Sequence, residues 1–257
     1  MLQFLKRLPT YSRINEVIML NCYYMDYTGG CSDEQSLVLY EQLNESRKIR
    51  VDKIKNPDMK KRQILTGTFV QHCLSKELGI NASDLRLAEN EYGKPNVVGH
   101  DIHFNLSHSG KYAVIAVSDS DVGIDIECKT KNCMKLAKRF FCKEEYDNLV
   151  KIDDETEQKR LFLHYWTIKE AYVKCIGTGL VIPMNSFCAK NDGQGWMIEK
   201  DEELLDGQMP NAKVNVGVFD FDNDYVVSIC STSDLVSDKM INLTFESNAN
   251  VKNVFLK

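Results

Sequence analysis

The chain has nine cysteines but no CxxC pair, no apolar run near the roughly 18 residues of a membrane span, and no low-complexity tract. Each absence excludes something. Cys128 and Cys133, the closest two cysteines, are too isolated for a zinc site, and an odd, scattered set fits reduced thiols in a cytoplasmic protein. The start has basic residues but no apolar core behind them. Its short run Val17-Ile-Met-Leu20 reads as a strand, so neither a signal peptide nor a membrane anchor is expected. A net charge of −5 argues against a dedicated nucleic-acid binder.

What is present is the composition of a globular protein, 43% apolar and 27% charged over 257 residues, long enough to bury a substantial core. One segment runs against the overall sign. Arg47, Lys48, Arg50, Lys53, Lys55, Lys60, Lys61 and Arg62 face only two acids, Asp52 and Asp58, over the same stretch. A basic segment in an acidic protein suits a small polyanionic ligand.

The pattern of elements predicts an α+β fold. Residues 1–15 read as an extension, 17–27 as a strand, and 33–55 as polar helix. Residues 60–78 carry apolar positions near a 3.6 period, with Gly79 as a helix stop. The run from Glu91 to Pro95 is a turn signal. Residues 103–106 and 112–117 then form a hairpin joined by the turn Ser107-His-Ser-Gly110. After a polar break at 119–121 come a strand at 122–127, helices at 133–140, 143–150 and about 155–176, and strands near 186–189, 196–199, 214–219 and 225–230. The order strand, helices, strands thus occurs twice, before and after about residue 119, without clear identity between the two halves. The expected units are 16–118 and 119–257.

Three acids carry the chemistry. Asp125 and Glu127 stand at i, i+2 in a β-branched run, so in a strand both carboxylates leave one face. Glu170 lies on a helix with Lys174 one turn on along the same face. Clustered carboxylates need a shared proton or a cation, and hard oxygens beside a lysine suit Mg²⁺ and a phosphorylated substrate. On spacing alone the first pair is more often a solvated strand face, and the second an ordinary helical ion pair.

Five motifs in order change that balance: Gly93-Lys-Pro95, Phe104-Asn-Leu-Ser-His-Ser-Gly110, Gly123-Ile-Asp-Ile-Glu127, Phe140-Phe-Cys-Lys-Glu-Glu-Tyr146 and Trp166-x-x-Lys-Glu-Ala-x-x-Lys174. Together they resemble the signature of 4′-phosphopantetheinyl transferases of the long, surfactin-synthetase-activating (Sfp) type, over roughly residues 45–190. The resemblance implies one chain of two pseudo-symmetric α+β halves, each an antiparallel sheet packed with helices, with the active site in the cleft between them. It implies Mg²⁺-dependent transfer of phosphopantetheine from coenzyme A to a serine of an apo acyl or peptidyl carrier protein, with release of adenosine 3′,5′-bisphosphate, by a monomer.

Carried over by position, Asp125, Glu127 and Glu170 would hold Mg²⁺. Glu170 would also be the base for the serine proton. Lys174 would stabilise the leaving group, and Lys169 would help hold the phosphates. Ser107, His108 and Lys94 resemble coenzyme A ligands, and Arg50, Lys53 and Arg62 roughly match the grip on its 3′-phosphate. Lys53–Arg62 is shorter than the family's usual stretch and contains Pro57, which leaves the assignment open by one basic residue either way. Glu145 reads as structural, and His72, His100, His103 and His164 have no motif context. Two other readings share these features: a non-catalytic homologue that binds coenzyme A or a carrier protein, and a Mg²⁺-dependent hydrolase of the coenzyme A pyrophosphate.

Overall fold

The computed structural model describes residues 20–128, 133–177, 182–200 and 213–233. The expected extension at 1–15, the start of the first predicted strand, and nearly all of the tail lie outside them. The first half runs β1 (Leu20–Asp26), α1 (Asp33–Glu41), α2 (Glu45–Asp52), α3 (Pro57–Leu78), β2 (Leu87–Glu89), β3 (Pro95–Val97), β4 (His103–Ser109) and β5 (Tyr112–Ser118). The second runs β6 (Val122–Cys128), α4 (Cys133–Phe140), α5 (Lys143–Val150), α6 (Glu155–Ile176), β7 (Phe187–Asn191), β8 (Trp196–Lys200), β9 (Asn215–Phe221) and β10 (Tyr225–Ser231).

The architecture is α+β with antiparallel sheets in the orders β1-β5-β4 and β6-β10-β9-β8-β7. In each half the first strand pairs with the last, and the last with the one before it. Each half also has one 22-residue helix, α3 or α6. Local chemistry sets their ends alike. Asn56 and Asp154 accept the first-turn amides of Met59 (3.0 Å) and Glu157 (2.8 Å), and Gly79 and Gly177 end the helices in the left-handed conformation. The two halves are pseudo-symmetric in topology.

Two differences from the sequence reading have plain causes. Residues 33–55 form two helices rather than one, because Asn44 restarts the helix by accepting the Arg47 amide at 2.9 Å. The segment Ser107–Ser109 is strand rather than turn: Ser107 pairs with Val114 and His108 with Ala113, so the chain reverses only at Gly110 and Lys111.

The first sheet buries Ala113, Ile115 and Val117 against α3 residues such as Phe69 and Leu74. Its other face sends Cys22, Val114 and Ala116 into a core shared with Ile124, Ile126, Val227 and Ile229 of the second sheet. That core joins the halves. Cys142 and Cys188, 46 residues apart, are disulfide-bonded with Cα atoms 5.7 Å apart, linking the start of α5 to β7. This departs from the reading of the cysteines as reduced, and no sequence spacing indicated it. Among the described residues, no helix is long and apolar enough to cross a membrane.

Candidate active site

Because Ile124 and Ile126 enter the inter-sheet core, the alternation of β6 turns Asp125 and Glu127 to the face covered by α6. Gly123 lets that helix come close. A Cβ there would overlap the Ala171 carbonyl and the Cys175 amide, so any side chain would push α6 off the strand. The helix brings Glu170 and Lys174 over β6, and Lys174 Nζ lies 2.6 Å from Asp125 Oδ1.

The first half meets the same strand edge-on. On β4 the face that is apolar elsewhere in the sheet becomes polar: Asn105 Oδ1 accepts the Ile124 amide (2.9 Å), Ser107 Oγ donates to Asp125 Oδ1 (2.7 Å), and Ser109 Oγ donates to Glu127 Oε2 (2.8 Å). Ser107 also receives Lys174 Nζ at 3.2 Å. Its single hydroxyl proton is given to the Asp125 carboxylate.

Asp125 is 3% exposed, and its Oδ2 is buried without a hydrogen-bond partner. Burial raises its pKa, against the opposing pull of Lys174 and Ser107. Glu127 is raised by burial and by Asp125, while Ser109 opposes. Glu170 is raised by burial, then by Asp125, with a smaller push from Glu127. The three acids therefore share one electrostatic neighbourhood, in which Lys174 acts on all of them without offsetting the effect of burial. Among the described residues, no three His, Cys, Asp or Glu side chains converge closely enough to enclose a metal ion as they stand. The donor set still fits a hard cation: it is all carboxylate oxygen, and one buried oxygen is orphaned.

A cavity of about 250 Å³ opens beside these groups, lined by Lys94 and Asn105 from the first half and Glu170 and Lys174 from the second, among others. Lys94 Nζ donates to Cys175 O (2.9 Å), with Asp121 3.8 Å away, and burial lowers its pKa. The exposed His108 has its pKa lowered by desolvation and then by Arg62, with Lys174 and Arg47 adding to the effect. Arg62 stacks over the Tyr27 ring at 4.0 Å and donates to the Gly110 carbonyl.

Three of the expected basic residues are placed otherwise. Arg50 is exposed and paired with Glu89; with Arg47 it lines a separate cavity of about 310 Å³ among α2, α3 and β2–β4. Lys53 is exposed beyond α2 and lines neither cavity. Lys169 is fully buried: Nζ donates to the Met184 carbonyl (2.7 Å) and the Phe187 carbonyl and pairs with Glu145 at 2.9 Å, so it cannot hold phosphates. Five residues separate Lys169 from Lys174, about 140° around the helix, so the two face different partners. Glu145 accepts the Cys142 and Ala189 amides (3.0 and 2.7 Å), the structural role expected for it. The sequence analysis named Arg47 only within the basic segment and did not single out Asn105. Arg47 had a signal, one turn from Arg50 on α2, whereas the pairing of Asn105 with β6 had none.

Fold and site describe an α+β enzyme whose two like halves share one polar junction. A family model for the 4′-phosphopantetheinyl transferase superfamily matches residues 121–230, and one for the 4′-phosphopantetheinyl transferase N-terminal region matches residues 31–120. The chain is similar to 4′-phosphopantetheinyl transferase Sfp of Bacillus subtilis (strain 168), 35% identical over 66% of this chain and 73% of that one. It is also similar to a 4′-phosphopantetheinyl transferase of Bacillus subtilis, 29% identical over 87% of this chain and 96% of the relative. A third relative, 4′-phosphopantetheinyl transferase gsp of Aneurinibacillus migulanus, is 42% identical over 49% of this chain and 52% of its own length. The chain belongs to the 4′-phosphopantetheinyl transferases.

Proposed function

We propose that this enzyme transfers 4′-phosphopantetheine from coenzyme A to a serine hydroxyl of an apo acyl or peptidyl carrier protein, in a Mg²⁺-dependent reaction that releases adenosine 3′,5′-bisphosphate. The observation that supports the reading is that Glu170 and Lys174 line a cleft with Lys94 of the other half, while Asp125 and Glu127 act electrostatically on Glu170. Mg²⁺ held by the three carboxylates would neutralise diphosphate oxygens. Glu170, its pKa raised by burial and by Asp125, suits a proton acceptor for the serine hydroxyl. Lys174 would stabilise charge developing on the leaving bisphosphate. Lys94, His108 and Arg62 offer the nucleotide phosphates cationic and N–H groups, and Arg47 and Arg50 line the neighbouring cavity.

The test is to incubate an apo carrier protein with a fluorescent coenzyme A, with and without Mg²⁺, and weigh the products. A carrier heavier by the labelled arm, formed only with Mg²⁺, is expected. Binding without mass gain would instead favour a non-catalytic homologue. Bisphosphate release when the carrier is omitted would favour a hydrolase.

A further inference from the structure

The two β6 carboxylates are each gripped from outside their own half. Ser107 and Ser109 lie two residues apart on β4, as Asp125 and Glu127 do on β6, and each serine donates its hydroxyl to the corresponding acid. Asn105, two residues earlier on the same β4 face, accepts the Ile124 amide and sets the register of one strand against the other. A carboxylate only accepts, so the single proton of Ser109 is committed to Glu127 Oε2. The Cys128 thiol, 3.5 Å from Ser109 Oγ, is then the group left to donate to the serine.

We infer that Ser109 is a positioning residue: from the first half it fixes the carboxylate of Glu127 in the second, and so prepares that acid for the cation. The inference rests on the reading of Asp125, Glu127 and Glu170 as cation ligands. Hydrogen bonds to a ligating carboxylate restrict its rotation before the ion arrives, and their loss weakens binding about 10–100-fold in metal sites generally. Ser107 acts alike on Asp125. That side chain is already held by Lys174, which makes Ser109 the clearer test.

The experiment measures Mn²⁺ affinity by electron paramagnetic resonance on the full chain, without coenzyme A or carrier protein. Thermal melts are recorded for every variant. Ser109→Ala is expected to bind Mn²⁺ about 10–100-fold more weakly than wild type, and Ser109→Thr, which keeps the hydroxyl, within about twofold. In a Glu127→Gln background, adding Ser109→Ala should change affinity by less than about twofold, because the carboxylate it orients is gone. Unchanged affinity in Ser109→Ala, or the same loss in both backgrounds, overturns the inference and leaves Ser109 a structural tie. If Ser109→Ala does not fold, the near-isosteric pair Ser109→Thr and Ser109→Val, which differ in the hydroxyl alone, gives the same comparison. Failure of the wild-type chain to bind Mn²⁺ overturns the assignment of the acids themselves, an outcome distinct from the serine failing alone.

Discussion

Lys174 Nζ stands 2.6 Å from Asp125 Oδ1, tying the long helix of the second half to the strand it covers. The carboxylate is almost fully buried and the ammonium partly exposed, so the pair is unequal. Removing the lysine leaves a buried carboxylate with no cation bonded to it. Lys174→Ala should cost about 2 kcal/mol, less than the full penalty for breaking a buried pair, because water can reach the vacated space. Denaturant melts check the stability. Transfer should fall by at least about 100-fold, since the leaving group loses its counter-charge. Asp125→Ala should abolish transfer while keeping the fold; substantial turnover in that variant would refute the cation assignment.

Glu170 is under opposite pressure. Its carboxylate is half-buried and repelled by Asp125 and Glu127. In metal-free buffer Glu170→Gln should therefore raise Tm, by about 2–4 °C, while transfer is lost. A lower Tm with an intact fold would mean that the acid serves structure rather than chemistry.

Lys169 and Glu145 form a buried pair that holds α6, α5 and the start of β7 together. Lys169→Met should destabilise the chain by about 3–5 kcal/mol, because Glu145 is left buried and unpaired. At a temperature where the variant is still folded, its KM for coenzyme A should match wild type. A raised KM would return Lys169 to the phosphate site.

Asp222, just after β9, links the halves by accepting from the Tyr112 hydroxyl (2.7 Å) and pairing with Lys111 (2.7 Å), both of the first half. The Lys111 hydrogen bond, then that of Tyr112, holds its carboxyl below the ordinary value of 3.8. A carboxyl with a depressed folded pKa contributes fully above its unfolded pKa, and the contribution fades as pH falls through the lower folded value. Asp222→Asn should therefore melt about 1–3 °C below wild type near pH 6, with the gap closing as pH falls below the carboxyl's ordinary value of 3.8. A gap that persists in acid would mean the aspartate acts through packing alone.

Most of the elements were legible because their signals are local. The start and stop of α6 follow from Asp154 and Gly177, and the expected bounds of the three helices of the second half agree with the structure. The short β2–β3 hairpin was not expected as strands, since three-residue strands carry too little pattern. Small polar residues favour turns, and by sequence alone Ser107-His-Ser-Gly110 reads as one. In place, the serine hydroxyls bond carboxylates of another strand, and the backbone remains in the ladder.

The sequence by itself determined the pattern of elements, the acids at 125, 127 and 170, and the family motifs that contain them, because spacing along one strand or one helix turn is a short-range property. Only the tertiary structure decided which neighbours those residues have. Lys169 turns into the core while Lys174 reaches Asp125, and serines from the other half hold the β6 acids. The physical reason is that these partners lie tens of residues away along the chain and meet only when α6 settles over Gly123 and the two sheets share their apolar faces.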